Sequence, residues 1–449
     1  MNKAQIDLSK IDVKQIEFKQ NDPGPGEVKP DGLKQDGLNG HCGSCGGFNR
    51  IEVEYRLEKP AALELVYDDG TEEGKRDCFF LEAGGRTFGG LVPGYTEGAK
   101  FAGVRSALVR GFDGEDPGFI LGSFMLETVP VLSTDTYYIE NGRYKVGIRL
   151  IWGGGVNYIQ DKRCPVPGIE NLINQCDTGR LIQQSYYGTG ETPENPDFYY
   201  GTFMNQKWVY NPVQGGDRGG LHSRLIDVRP GENSVWIKSQ PKDWGKVGFD
   251  TKSYMENVYT LDGDLIRVDN RFVDFSGWKH PCRGQELPAF YTISYLDKFV
   301  WYDGTDSWTD APLSSRSDLN FWGLPEYSAS CRFRIRKSST ETWCAWVRES
   351  DDYGIGLFVP NVDQLYAGRH AYNGTKDPLD GATNYVAPLN RVQIVSFKPI
   401  EYSYLITTGS VDEIRGRFKE NRDFAANESI TDEAREYRTE DDAPPYGCK

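Results

Sequence analysis

The sequence predicts an all-β protein, with a small N-terminal antiparallel β-sandwich followed by a large antiparallel sandwich of two sheets. Residues that favour strands are plentiful, with 26 Tyr, 22 Phe and 10 Trp, and 51 Gly with 24 Pro provide for many turns. Short runs of alternating apolar and polar residues recur along most of the chain. No amphipathic helices separate these runs, so a parallel sheet built from alternating strands and helices is not expected.

The runs divide the chain into four segments. Residues 1–40 are predicted to be an arm or linker, because the prolines of DPGPGEVKPDG at 22–32 interrupt any regular element. Residues 41–132 hold short alternating runs joined by glycine-containing turns, which predicts a small sandwich of the size of an accessory binding module. Residues 133–412 repeat the pattern on a larger scale. Residues 413–449 are predicted to form a helix and then an acidic, mobile tail.

Composition excludes some classes of partner. The formal net charge is -15, from 66 acidic and 51 basic residues, so long-range attraction to nucleic acid or to an anionic membrane is not expected. A local basic patch remains possible, and an anionic polysaccharide would require one. No apolar run reaches the roughly 18 residues that span a bilayer. The N-terminus lacks the apolar core of a signal peptide, so the chain is either cytoplasmic or, if a signal was removed, extracellular or periplasmic. The sequence leaves the oligomeric state open.

No metal or cofactor is predicted. Cys42 and Cys45 form a CxxC pair, but a zinc site would need two more ligands from scattered cysteines and only four histidines. A disulfide or free thiols are therefore expected among the nine cysteines. Sequons at Asn373 and Asn427 are compatible with secretion.

Two segments of the large predicted sandwich are unusually polar. NLINQCDTGRLIQQSYY at 171–187 mixes amides, phenols and one Asp/Arg pair with apolar residues, and YNPVQGGDRGGLHSRLID at 210–227 places similar groups between glycines. Such groups are costly to half-bury unless something satisfies them, which favours a polyhydroxylated ligand such as a sugar. Glycines allow a ligand to approach the backbone closely.

Candidate residues follow from side-chain chemistry. A carboxylate, an imidazole or a phenol can transfer protons, and amides or guanidinium groups can hold sugar hydroxyls. The candidate catalytic residues are Asp177, Asp217, His222, Glu286 and Tyr186. The candidate substrate-binding residues are Asn174, Arg180, Gln183, Gln184, Tyr187, Asn211, Gln214, Arg218 and His280.

Structural explanations compete with several of these assignments. Asp177 and Arg180 could form an ion pair that only stabilises their own loop, and Asp217 could bond its own backbone in a turn. His280 could be a buried structural histidine. Glu286 precedes Leu-Pro and is expected to project from a sheet edge at a strand entrance. Some tryptophans are expected to stack on the sugar, and Glu341 and Tyr353 are further candidates on later strands.

The region 135–410 resembles the galactose-mutarotase-like, or super-β-sandwich, group of carbohydrate-active proteins. The resemblance rests on the strand LIWGGGVNYI, the polar segment NLINQCDTGRLIQQSYY, the loop NPVQGGD and the late strand RVDNRFVDF. It implies a super-β-sandwich fold and a carbohydrate ligand. The group includes sugar epimerases, polysaccharide lyases and the β-domains of glycoside hydrolases and phosphorylases, so the resemblance leaves the reaction open.

Hydrolysis of a poly- or oligosaccharide is the leading hypothesis. It needs two carboxyl groups across the glycosidic bond, which Asp177, Asp217 and Glu286 could supply. A polysaccharide lyase would instead use a Tyr or His base, such as Tyr186 or His222, on a uronate sugar. A non-catalytic carbohydrate-binding protein and an epimerase of free sugars are further alternatives, and a small closed pocket would favour the epimerase.

Overall fold

The computed structural model describes residues 4–5, 11–15, 47–132, 135–190, 201–203, 205–317, 319, 331–336 and 339–424. By its contacts the chain divides into two compact units, Met1–Ser133 and Thr134–Lys449. Strands dominate both units, and the predicted all-β class is confirmed.

The first unit contains two four-stranded sheets. Its strands are β1 (Ala4–Gln5), β2 (Ile11–Gln15), β3 (Arg50–Leu57), β4 (Ala61–Tyr67), β5 (Lys75–Leu81), β6 (Gly84–Leu91), β7 (Val104–Gly111) and β8 (Ile120–Thr128). The sheet orders are β1-β7-β4-β5 and β2-β8-β3-β6. Burial alternates along β3 and β4, as the period of two predicts, so one face of each strand supplies the core.

Two of these strands lie in the segment that the sequence predicts to be an arm. β1 pairs with β7, and β2 runs parallel to β8, in contrast to the antiparallel ladders elsewhere in the described sheets. β1 and β2 each add to one side of a sheet, where β7 and β8 would otherwise leave unpaired backbone groups. The proline-rich stretch 22–32 and the pair Cys42 and Cys45 lie outside the described residues.

The second unit contains two large antiparallel sheets. The ten-stranded sheet has the order β24-β27-β28-β21-β12-β11-β10-β9, with β15 paired to β12 and β18 paired to β15. Its strands are β9 (Thr136–Glu140), β10 (Tyr144–Arg149), β11 (Gly155–Asp161), β12 (Ile182–Ser185), β15 (Pro212–Val213), β18 (Lys242–Asp243), β21 (Lys279–Ile293), β24 (Arg332–Arg334), β27 (Gln364–His370) and β28 (Thr383–Val395).

The facing sheet has nine strands in the order β16-β17-β19-β20-β29-β26-β25-β22-β23. They are β16 (Arg224–Pro230), β17 (Ser234–Gln240), β19 (Ser253–Asp262), β20 (Leu265–Asp274), β22 (Lys298–Trp301), β23 (Ser314–Arg316), β25 (Trp343–Val347), β26 (Gly354–Phe358) and β29 (Pro399–Gly409). A separate hairpin pairs β13 (Gly201–Phe203) with β14 (Gln206–Trp208).

The two large sheets pack through aromatic and polar contacts. The ring of Tyr186, which follows β12, stacks on Phe272 of β20 at 4.1 Å between centroids. The Tyr144 hydroxyl donates to the Asp264 carbonyl at 3.1 Å, and the Gln184 amide donates to the Glu256 carbonyl at 2.9 Å. The core therefore lies between the sheets and includes hydrogen-bonded polar groups.

The single α-helix among the described residues, α1 (Val411–Glu420), begins two residues before the predicted helical segment and lies mostly within it. Ser410 caps its N-terminus in a reciprocal capping box with Glu413. Ile414 and Phe418 are fully buried on one side of the helix. The predicted acidic tail lies outside the described residues. No helix in the described part of the chain is long and apolar enough to cross a membrane.

The polar composition of the segment 171–187 does not reveal the strand that it contains. This strand, β12, lies at the centre of the ten-stranded sheet and has only four residues, all of them buried. Glu286 was expected at a strand entrance near a sheet edge, and this expectation is wrong. It lies well inside β21, which pairs with β12 on one side and β28 on the other. A cis peptide bond links Leu287 to Pro288 just after it.

Candidate functional site

A cavity of about 250 Å³ lies against the ten-stranded sheet of the second unit. Five of the predicted site residues line it: Asp177, Arg180, Gln183, Asn211 and Glu286. The other described lining residues are Gly179, Ser185, Phe203, Val213, Trp244, Ala289, Tyr291, His370 and Thr383. The cavity thus joins parts of both polar segments with strands that lie much later in the chain.

Glu286 is the buried acid of this cavity, with only 2% of its surface exposed. The hydroxyl of Tyr385 donates a hydrogen bond to its carboxylate, and the hydroxyls of Ser185 and Tyr187 contribute further side-chain hydrogen bonds. Burial raises the pKa of Glu286 above its ordinary value, although the three hydroxyls each act in the opposite direction. The carboxyl group therefore holds its proton to higher pH than an exposed Glu does.

Asp177 provides the second carboxyl group, and its surroundings differ. Its side chain is 46% exposed, and Arg180 forms an ion pair with it at 3.2 Å. The backbone N–H of Gly179 donates to Asp177 Oδ1 at 2.9 Å. Arg180 also donates to the Gly381 carbonyl at 2.6 Å, which connects this loop to the start of β28. Asp177 is therefore solvated and charge-paired, whereas Glu286 is desolvated.

An aromatic wall forms another part of the cavity. The rings of Phe203 and Trp244 lie 6.1 Å apart between centroids. Trp244 packs directly on the backbone of Gly179, where an added Cβ would come within 2.6 Å of the indole ring. Only glycine permits this approach, so the glycine in CDTGR positions the tryptophan beside Asp177.

Asp243, which precedes Trp244, fixes the loop that carries this wall. Its carboxylate accepts hydrogen bonds from the backbone N–H groups of Asn211, Gly245 and Lys246, at 2.9 to 3.0 Å. Burial raises the pKa of Asp243 to about 6, although the three N–H groups favour its ionised form.

His370, Tyr291 and Thr383 complete the described lining from β27, β21 and β28. His370 Nδ1 lies 3.1 Å from the Gly381 carbonyl, the same oxygen that Arg180 contacts. The sequence analysis did not select His370, which lies far along the chain from the two polar segments. Only the pairing of His370 with Thr383 brings it beside the predicted residues.

Most of the other predicted residues are buried and bonded within the protein. Asn174 donates to the carbonyls of Asp380 and Ala382, and Gln214 donates to the Gly153 carbonyl and the Asn257 side chain. Gln184 accepts the hydroxyl of Tyr186 at 2.8 Å. These side chains do not line the cavity. Their polarity serves the internal hydrogen bonding of the loops and of the space between the sheets.

Tyr186 and Tyr187 are likewise buried and bonded within the protein. Both are fully buried, and burial raises the pKa of Tyr186 well above its ordinary value. Tyr186 faces the other sheet, so the structure gives it no access to the cavity as a base. Tyr187 reaches the site indirectly, through its hydrogen bond to Glu286.

Asp217, Arg218 and His222 also lie away from the cavity lining. Asp217 is buried and accepts hydrogen bonds from the backbone N–H groups of Gly219, Leu221 and Gly248. Its carboxylate therefore stabilises its own turn, as the structural explanation of this residue predicts. Arg218 donates to Thr202 Oγ1 at 2.9 Å. His222 lies beside the ring of Trp152 instead, at 5.4 Å between centroids.

His280 is also buried. It accepts the Thr189 N–H at 3.1 Å, stacks on Tyr210 and approaches the Asp274 carboxylate at 3.5 Å. This arrangement fits a structural histidine. Glu341 and Tyr353 likewise lie elsewhere: Glu341 pairs with Arg415 of α1, and Tyr353 donates to Asp161.

No group of three or more His, Cys, Asp or Glu that could hold a metal ion occurs among the described residues. Six cysteines of the described chain are free thiols, namely Cys78, Cys164, Cys176, Cys282, Cys331 and Cys344. The cavity lining itself offers carboxyl groups, an imidazole, a phenol and a guanidinium group.

The first unit has an exposed groove of about 450 Å³ on β3, β6 and β8. Glu54, Arg56, Arg86 and Ile120 are among its lining residues, and Ile120 is largely exposed. The nearby Tyr55 is buried. A carbohydrate-binding role for this unit stays a prediction.

No protein-family model matches the chain, and no curated protein matches it. Among solved structures, a galactose mutarotase related enzyme from Lactobacillus acidophilus matches 61% of this chain and 97% of its own, at 12% identity and a TM-score of 0.38. A galactose mutarotase-like protein from Lactobacillus casei matches 61% of this chain and 100% of its own, at 10% identity and a TM-score of 0.38. A GH36 alpha-galactosidase from Geobacillus stearothermophilus matches 62% of this chain and 40% of its own, at 11% identity and a TM-score of 0.35.

The predicted remote resemblance to galactose-mutarotase-like proteins is thus confirmed. Scores and identities this low say nothing about activity, and the all-β fold rests on the strand pairing of the chain itself.

Proposed function

We propose that the second unit is a carbohydrate-active enzyme that hydrolyses glycosidic bonds of an oligo- or polysaccharide. Glu286 is the general acid in this proposal, and Asp177 is the second carboxyl group. The observation that supports it is that two carboxyl groups in contrasting environments line one cavity together with an aromatic wall.

The contrast between the two carboxyl groups suits acid and base roles. Buried Glu286 keeps its proton and can donate it to the glycosidic oxygen as the C–O bond breaks. Exposed Asp177, paired with Arg180, can act on the other face of the sugar. There it either accepts a proton from the attacking water or bonds to the anomeric carbon.

The remaining walls suit a sugar ring. Trp244 and Phe203 offer apolar faces on which the C–H groups of a sugar can pack. Ser185, Thr383 and Tyr291 offer hydroxyl groups to the cavity. The amides of Gln183 and Asn211 already bond to the protein, so their main contribution is to hold the loops in place.

The test is the release of reducing ends from a panel of neutral and acidic oligosaccharides. Glu286→Gln is expected to lower kcat by roughly 10²- to 10⁴-fold, the usual contribution of a general acid. Asp177→Asn should cause a loss of similar size. The matched control is Glu232→Gln, an exposed residue of the turn between β16 and β17, which should retain full activity. Unchanged rates in both cavity variants would refute the assignment.

A second candidate function is acid–base isomerisation of a free sugar, as in an epimerase. It is favoured by the small volume of the cavity and by the presence of His370 together with Glu286 in its lining. Polarimetry of freshly dissolved aldoses distinguishes it from hydrolysis, because an epimerase accelerates the change in rotation without releasing reducing ends. Ultraviolet absorbance of an unsaturated product would instead indicate the lyase.

A further inference from the structure

A second cluster of polar and aromatic side chains lies near the cavity. The guanidinium group of Arg149 lies over the ring of Trp152, 3.8 Å from its centroid, and Trp152 lies beside His222. Arg149 Nη1 and Asn157 Nδ2 both donate to Gln175 Oε1, at 3.3 and 2.9 Å. These contacts bring four separate parts of the chain together; we call Arg149, Trp152, Asn157 and His222 the Arg149 cluster.

Three buried polar atoms of this cluster have no hydrogen-bond partner. They are the Nε donor of Arg149, the Nε1 donor of Trp152 and an acceptor, Asn157 Oδ1. Buried polar atoms are nearly always satisfied, because leaving one without a partner destabilises the folded state. Three in one cluster, with donors and an acceptor together, indicate that something outside the described chain completes their bonding.

The charge of Arg149 indicates which kind of group completes the bonding of the cluster. Burial lowers the pKa of its guanidinium group, and among the described residues no carboxylate forms an ion pair with it. Asp135 attracts it only at longer range, alongside Tyr138. An arginine that is half-buried on an aromatic ring without a carboxylate partner is well prepared to bind an anionic group, because its planar fork matches carboxylate and sulfate oxygens.

The cluster and the cavity are connected by one short loop. Gln175 bonds to the cluster, and Asp177, two residues later, lines the cavity. Two residues span at most about 7 Å, so the backbone positions of Gln175 and Asp177 lie close together, at a separation comparable to the length of one or two sugar units.

We propose that the Arg149 cluster is a subsite for an anionic substituent, a carboxylate or a sulfate ester, of an acidic glycan whose neighbouring sugar occupies the cavity. This inference rests on the proposed function of the cavity. Arg149 binds the anion, while Trp152 Nε1 and Asn157 Oδ1 bond to hydroxyl groups of the same sugar. The substrate is then an acidic glycan, although the protein itself carries a formal net charge of -15. Local side chains, and not long-range attraction, select it.

Calorimetric binding to the full chain carrying Glu286→Gln, which prevents turnover, tests the proposal. The probes are uronate oligosaccharides without sulfate, sulfated oligosaccharides without uronate, and neutral oligosaccharides of equal length. We expect at least one acidic set to bind, and to bind more tightly than the neutral set. Adding Arg149→Gln should weaken acidic binding at least tenfold and leave neutral binding unchanged. The set that responds identifies the anion as carboxylate or sulfate.

Two further variants keep the test decisive if Arg149→Gln fails to fold. Arg149→Lys keeps the positive charge but loses the planar guanidinium group, and Trp152→Phe keeps an aromatic ring but loses the indole N–H donor. Both variants should bind the acidic oligosaccharides more weakly. The control is Arg163→Gln, whose side chain is 61% exposed beside Asp264 and which should bind as the parent does. Absence of acidic binding, or equal loss of neutral binding in the Arg149 variants, would overturn the proposal. Acidic binding that depends on Arg149 while Glu286→Gln retains catalysis would refute only the proposed hydrolase.

Discussion

At the scale of single residues, burial decides which polar groups can do chemistry. Asn174, Gln184 and Gln214 have the amide side chains that often bind ligands, yet each is fully buried and bonded to protein atoms. Glu286 is also buried, but it lines a cavity and its carboxyl group is surrounded by hydroxyl groups. The difference is the open space beside the carboxyl group, which residue types alone do not reveal.

The raised pKa of Glu286 predicts the pH profile of the proposed enzyme. Activity that needs the protonated acid persists above the usual range of a Glu carboxyl and is lost as pH rises through the raised pKa. The Tyr385 hydroxyl favours the ionised carboxylate, so Tyr385→Phe should raise the pKa further and move the alkaline limb of kcat/KM to higher pH. The control is Tyr404→Phe in the facing sheet. A limb that moves to lower pH would contradict this account of Glu286.

At the scale of secondary-structure elements, strand pairing assembles the candidate site. Gln183 lies opposite Ala289, and Ser185 lies opposite Glu286, in the β12–β21 ladder. His370 lies opposite Thr383 in the β27–β28 ladder. A shift of one residue in either ladder would turn these side chains to the other face of the sheet.

The Asp243 turn is predicted to make stability depend on pH. Its pKa is about 6 in the folded protein and ordinary in the unfolded chain, so its contribution is greatest below about pH 4 and is lost as pH rises to 6. Two pKa units correspond to roughly 3 kcal/mol. The free energy of unfolding of the parent minus that of Asp243→Asn, both measured with urea, should be lower at pH 7 than at pH 4.5. A rise of this value with pH would contradict the prediction.

The attachment of α1 offers a second stability test. Arg415 of the helix donates to both carboxylate oxygens of Glu341, at 2.8 and 3.2 Å, and Glu341 is fully buried. Glu341→Gln should lower the free energy of unfolding by about 3–5 kcal/mol, because it leaves a buried charge without its partner. Asp310→Asn is the control: Asp310 pairs with Lys419 of the same helix but is 71% exposed, so its loss should change the free energy of unfolding much less. Equal effects of the two variants would refute a structural role for Glu341.

At the scale of the whole molecule, the described residues that line the cavity all belong to the second compact unit. We therefore expect a fragment of residues 134–449 to keep the glycan binding and turnover of the full chain. The measurement is kcat and KM on one substrate for both forms, with circular dichroism to verify folding. A folded fragment without activity would show that the first unit contributes to the site. An unchanged kcat with a higher KM on long glycans only would support the predicted accessory binding role of the first unit.

The sequence by itself determined the all-β class, the helix near residue 411 and the polar segments from which part of the cavity is built. These are local properties, because side-chain alternation, capping residues and composition act over a few neighbouring positions. Asp177, Arg180, Gln183, Asn211 and Glu286 could be chosen on that basis.

Only the tertiary structure decided which of the chosen groups share a cavity and which are enclosed between the sheets. Register across β12, β21, β28 and β27 brings His370 and Tyr385 to Glu286 over about a hundred residues of sequence, and separates Asp217 and His222 from it. No local pattern encodes that pairing, because it results from the mutual packing of many strands. The burial of Glu286, and with it the raised pKa of its carboxyl group, follows from the same packing.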